Sequence, residues 1–112
     1  MMSEELISAV QFQDEMQREA RSHHLASVED PLGKLIAKIE GGPAFAQSRL
    51  LTRILVALSE RSGTFRRADL MLLAMDSLGV VNSLLEGHAA GRITLDECAR
   101  AAGRATAAAD AI

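Results

Sequence analysis

Tryptophan and tyrosine are missing, and phenylalanine occurs only at positions 12, 45 and 65. A core must therefore be packed from Leu, Ile, Val, Ala and five Met. Few aromatic and β-branched side chains disfavour sheet, whereas abundant Ala and Leu favour helix. The same scarcity removes the aromatic platforms on which single-stranded nucleic acid is usually stacked. One cysteine, Cys98, excludes an intramolecular disulfide and suits a reducing compartment. Apolar runs of the ~18 residues needed to span a bilayer are absent. Basic excess is absent too. Twelve Lys and Arg face fifteen Asp and Glu, for a net charge of −3, which disfavours unspecific attraction to nucleic acid or an anionic membrane. The opening MMSEEL lacks the basic start and apolar run of a secretory signal. These absences predict a cytoplasmic protein without membrane association.

What is present is ordinary for a globular chain: 48% hydrophobic and 24% charged residues, a balance that argues against disorder. The 112 residues fit one domain, 1–112, long enough to bury a core without disulfide or metal. The most apolar helix-length stretch is FAQSRLLTRILVAL, Phe45 to Leu58, and the other segments are expected to pack on it. Leu50, Leu51, Ile54, Leu55, Ala57 and Leu58 make its apolar stripe, with Arg49, Thr52, Arg53, Ser59 and Glu60 opposite. This central helix is predicted from near Pro43 to a stop at Gly63.

Before it, Ser3 is placed to cap a first helix over about 4–26, predicted to be loosely attached, with Leu6, Ala9, Val10, Phe12, Met16, Ala20 and His23 on one face. Asp30-Pro31 opens a second helix with Leu32, Leu35, Ile36 and Ile39 inward, and Gly41-Gly42-Pro43 ends it. After Gly63, a helical phase that carries Leu70, Leu73, Ala74, Leu78, Val81, Leu84, Leu85 and His88 predicts one long helix over about 67–90. A split at Asp76-Ser77 or Gly79 is the alternative. Gly91 stops it. Thr94 and Glu97 form a capping box that opens the last helix. Its seam of Leu95, Cys98, Ala99, Ala102, Ala105 and Ala109 buries little area per residue, so the turns from about 104 are expected to fray. The predicted fold is all-α, a compact bundle or orthogonal array of four to five helices with short loops.

Site chemistry is sparse. His23-His24, His88 and Cys98 do not have the paired spacing of zinc ligands, and adjacent helical histidines diverge. Cys98 with His88 lacks a third orienting group for nucleophilic catalysis and reads as a packed small hydrophobe. Asp69, Asp76 and Glu86 fall on the polar side of the predicted long helix. Gly41-Gly42 lacks the preceding strand and the following Lys-Ser/Thr of a phosphate loop. Catalytic, cofactor and metal residues are therefore not assigned. Arg49, Arg53, Arg61, Arg66 and Arg67 are the main basic concentration, expected as a solvated face paired with Glu60.

Two stretches resemble known families. TLDECARAAG, Thr94 to Gly103, resembles the first helix and turn of a helix-turn-helix of the Lac repressor family through Thr94, Leu95, Ala99, Ala102 and Gly103. That resemblance implies a following recognition helix. The residues there, RATAAADAI, supply Arg104, Thr106 and Asp110, with Arg100 and Arg104 as the phosphate contacts. LLEGHAAGRITLDE, Leu84 to Glu97, is similar to the helix-Gly-Ile-Thr-acidic-helix pattern of SHOCT-type oligomerisation modules, with Gly91, Ile93, Thr94 and Glu97 building the turn.

The reading that follows is a non-catalytic protein–protein interaction module, a regulatory or assembly adaptor acting as a homo-oligomer. A small DNA-binding regulator and a small-molecule-binding helical protein are the alternatives. The expected partner surface is Phe45, Arg49, Arg53, Val56, Glu60, Leu72 and Met75, apolar residues outside the main stripes and the charges beside them.

Overall fold

A computed structural model describes residues 5–111. It contains β1 (Leu6–Ser8), α1 (Ala9–Ser22), α2 (Pro31–Gly41), α3 (Ala46–Glu60), β2 (Thr64–Arg66), a 3-10 helix (Arg67–Leu72), α4 (Met75–Ala89) and α5 (Leu95–Asp110). Of the described residues 72% are helical, and one two-stranded antiparallel ribbon is the only sheet among them. α3 packs most extensively on α5, while α4 lies against α1 and α2. The Cα radius of gyration, 13.2 Å, is close to the ~13 Å expected for a folded chain of about this length.

The central helix is where its apolar stripe predicts. Leu50, Leu51, Ile54, Leu55, Ala57 and Leu58 are all buried. Its ends are tighter than expected: it opens at Ala46, with Phe45 at the N-cap, and closes at Arg61 in the left-handed conformation, two residues before Gly63. α2 has the predicted start and stop, with the Asp30 carboxylate accepting from Gly33 N–H at 3.3 Å. α5 opens on the predicted capping box: Glu97 N–H donates to Thr94 Oγ1, and Thr94 N–H donates back to Glu97 Oε1, each at 3.1 Å. It stays helical through Asp110, with Ala105 buried and Arg104 held by Glu40 through bonds of 2.5 and 2.7 Å.

Two predicted helices are corrected. The first does not span 4–26, and Ser3 lies outside the described residues. Leu6 to Ser8 is instead a strand, and period-two burial replaces the helical wheel: Ile7 is buried, while Leu6 and Val10 are exposed. Ser8 caps α1 by accepting from Gln11 N–H at 3.1 Å, and Phe12, Met16 and Ala20 carry the buried face. His23 is exposed and bonds Glu19. The second, 67–90, is interrupted. Leu73 and Ala74 adopt extended backbone (ψ 118° and 159°), and Ala74 N–H donates across to Gln47 Oε1 at 2.8 Å. A helix through this point would need that N–H for its own ladder. The break thus falls two residues ahead of the predicted alternative at Asp76. From Leu78 to Leu85 the predicted inward phase holds.

Candidate interaction surfaces

The ribbon and the 3-10 helix are joined by one buried carboxylate. Asp69, predicted on a solvated face, is 1% exposed. Its Oδ1 accepts from Arg66 Nη2 at 2.9 Å, and its Oδ2 accepts from Arg66 N–H at 3.3 Å and Arg53 Nη1 at 3.4 Å. Arg53 also donates to the Thr64 carbonyl at 3.1 Å and lies 4.9 Å over the Phe65 ring, which stacks on Phe12 with centroids 4.5 Å apart. Cation–π contact and ion pairing together fix one guanidinium in two directions. Arg67 reaches Glu5 and Glu15, each at 3.1 Å. Three members of the basic concentration are therefore engaged by carboxylates: Arg53 and Arg66 by Asp69, and Arg67 by Glu5 and Glu15. None of its ion pairs among the described residues involves Glu60.

The predicted partner residues do not form one face. Arg53 is committed to the clamp around Asp69. Val56 is half-buried against the core and, with Glu60, lines an open groove between α3 and α5 of ≈ 650 Å³. Phe45, Leu72 and Met75 belong to a separate end of the molecule. The Gln47–Ala74 bond ties the start of α3 to the residue before α4, and the ion pair of Lys38 with Asp76 ties α2 to the first turn of α4. Phe45 is 71% exposed, its ring lying so close over Gly42 that an added Cβ would collide with Phe45 Cδ2. Leu72 is 42% and Met75 46% exposed. Met71, adjacent to Leu72 in the 3-10 helix, is 89% exposed. Arg49, one turn from Phe45, is exposed and forms no ion pair with a described residue. Large apolar side chains left in water are the raw material of contact surfaces.

The remaining candidates are tied into the fold. His88 Nδ1 donates to the Ile93 carbonyl at 3.0 Å, closing the α4–α5 turn. The same turn directs Arg92 and Ile93 N–H to the Gly87 carbonyl at 2.9 and 3.2 Å. Ile93 sits so near Gly87 that an added Cβ would meet its Cδ1 at 2.8 Å. Cys98 is fully buried, and desolvation, with the neighbouring Glu97 charge adding to it, pushes its thiol pKa up, away from a reactive thiolate. Among the described residues no three His, Cys, Asp or Glu side chains are grouped to hold a metal ion, and no helix is long and apolar enough to cross a membrane. Arg104, a phosphate contact in the helix-turn-helix resemblance, is engaged by Glu40.

In comparisons with protein families, curated proteins and solved structures, nothing matches the chain.

Proposed function

We propose that the protein is a non-catalytic interaction module, a regulatory or assembly adaptor that acts as a homo-oligomer. The observation that carries this reading is the exposure of four large apolar side chains, Phe45, Met71, Leu72 and Met75, on segments that the Gln47–Ala74 bond ties to one another. Two methionines give such a surface an adaptable, polarizable contact. The unpaired Arg49 beside it selects a protein partner that brings an apolar face rimmed by a carboxylate.

Photo-crosslinking from position 71 in a lysate of the source cells, together with sedimentation velocity of the purified chain, tests the reading. Discrete adducts that disappear on Phe45→Ser and weaken on Arg49→Glu, from a protein that self-associates, support it. A strict monomer that gives no Phe45-dependent adduct contradicts it.

A further inference from the structure

The two strands of the ribbon differ at their outer edges. Ile7 pairs with Phe65. Ala9 N–H donates to the Gly63 carbonyl at 3.0 Å, and Arg67 N–H to the Glu5 carbonyl at 2.9 Å. The inter-strand bonds therefore sit at Glu5, Ile7 and Ala9, and the backbone groups of the alternate residues point away from the ladder. These are Leu6 and Ser8 on β1, and Thr64 and Arg66 on β2.

On β2 the outward positions are plugged by side chains. Arg53 Nη2 donates to the Thr64 carbonyl at 3.1 Å, and Arg66 N–H donates to Asp69 Oδ2 at 3.3 Å. Covering an edge in this way blocks strand addition. On β1 no described group meets the outward N–H or C=O of Leu6. The surroundings are open: Leu6 is 64% and Val10 66% exposed, and Glu5 and Ser8 are exposed as well.

We infer that this edge is occupied by β1 of a second copy, paired antiparallel about a two-fold axis at Leu6 to make a four-stranded sheet in the order β2–β1–β1–β2. A residue that offers one donor and one acceptor is satisfied by its own image. Leu6 N–H of each copy donates to the Leu6 carbonyl of the other, an isologous contact that closes at two chains. Charge agrees with this register. Antiparallel pairing about Leu6 sets Glu5 opposite Ile7, whereas parallel in-register pairing would set Glu5 beside Glu5. Each Glu5 also keeps its own Arg67 at 3.1 Å. The two Leu6 side chains share one face of the joined sheet and shield each other from water. The contact is far smaller than the roughly 1,200 Å² of a standard interface, so the dimer is weak and dissociates on dilution.

This inference rests on the homo-oligomer reading, and the test separates the two. Sedimentation velocity is run over a dilution series on the wild-type chain, Leu6→Pro and Phe45→Ser. Proline removes the outward N–H but leaves the bonds at Glu5, Ile7 and Ala9, and edge positions tolerate it. A monomer–dimer equilibrium whose dissociation constant rises at least about tenfold (roughly the 1.4 kcal/mol that a lost pair of hydrogen bonds represents) in Leu6→Pro but not in Phe45→Ser supports the edge. Circular dichroism should show both variants folded. If Leu6→Pro does not fold, amide exchange of wild-type Leu6 decides. Protection at high concentration that vanishes on dilution supports pairing, and concentration-independent exchange overturns it. A dimer that is unchanged in folded Leu6→Pro, or lost in Phe45→Ser, overturns the edge while leaving self-association standing. A wild-type monomer throughout overturns both.

Discussion

Leu55 and Asp69 are almost equally buried, at 0% and 1% exposure, yet they hold their surroundings by different physics. Leu55 belongs to a stripe repeating every three to four residues on α3, and any neighbour of the right volume satisfies it. Asp69 is satisfied only by three donors from two arginines at fixed positions, one of them sixteen residues away in sequence. The helical half of the molecule tolerates adjustment, whereas the ribbon and 3-10 helix depend on one polar junction. That contrast explains why the strand edges differ: the clamp that secures β2 also covers it, and β1 is left open.

Substitutions at these two residues should break the contrast most visibly. Leu55→Ala removes a fully buried side chain and should cost about 3 kcal/mol in urea unfolding, spread over the whole domain. Asp69→Ala removes the carboxylate that the Arg53 and Arg66 guanidiniums share. Because both are about half exposed (50% and 47%), the loss should be roughly 2 kcal/mol, below that of a fully buried pair. Its signature is local: amide exchange at Ile7, Phe65 and Arg66 should speed up while α4 and α5 stay protected. Uniform loss of protection would mean that the ribbon and the helices form one cooperative unit.

The helical half was legible because burial there follows the 3.6 period. The stripe of α3, the Asp30-Pro31 start and the Thr94–Glu97 box all emerge from local spacing. The ribbon was not legible, because three-residue strands give too short a pattern to distinguish period two from a helical wheel. Leu6 and Val10 fit the helical wheel, and Ile7, which does not, has its reason only once Phe65 supplies its partner. The interruption at Leu73-Ala74 was equally hidden, since it depends on Gln47, twenty-seven residues away. The candidate surface was partly visible. Phe45, Leu72 and Met75 stand outside the stripes, but nothing in the spacing singles out Met71, and Arg53 is engaged by Asp69.

A smaller effect sharpens the comparison from the helical side. Ser77 Oγ in α4 is fully buried with no hydrogen-bond partner among the described residues. Ser77→Ala should therefore raise stability by roughly 1 kcal/mol. Destabilisation in the same urea experiment would reveal a polar contact inside α4's packing, making the two halves more alike than they look.

The smallest expected effect concerns the exposed Glu40–Arg104 pair that ties α2 to α5. The hydrogen bond from Arg104 lowers the Glu40 pKa below its ordinary value, with the Arg104 charge helping and desolvation opposing. A folded-state pKa below the unfolded one gives a contribution that is complete above the ordinary glutamate range and is lost as pH falls through the folded value. The melting temperatures of wild type and Glu40→Gln should thus differ slightly at neutral pH and converge in acid. Added salt should shrink the neutral-pH difference. A gap that persists in acid would assign it to packing rather than charge.

Self-association is the claim on which the functional reading turns, and sedimentation velocity of the wild-type chain across a wide dilution series tests it most directly. The weight-average sedimentation coefficient should fall from a dimer-like value at high concentration to the monomer value on dilution. One unchanging monomer boundary at every concentration would contradict it.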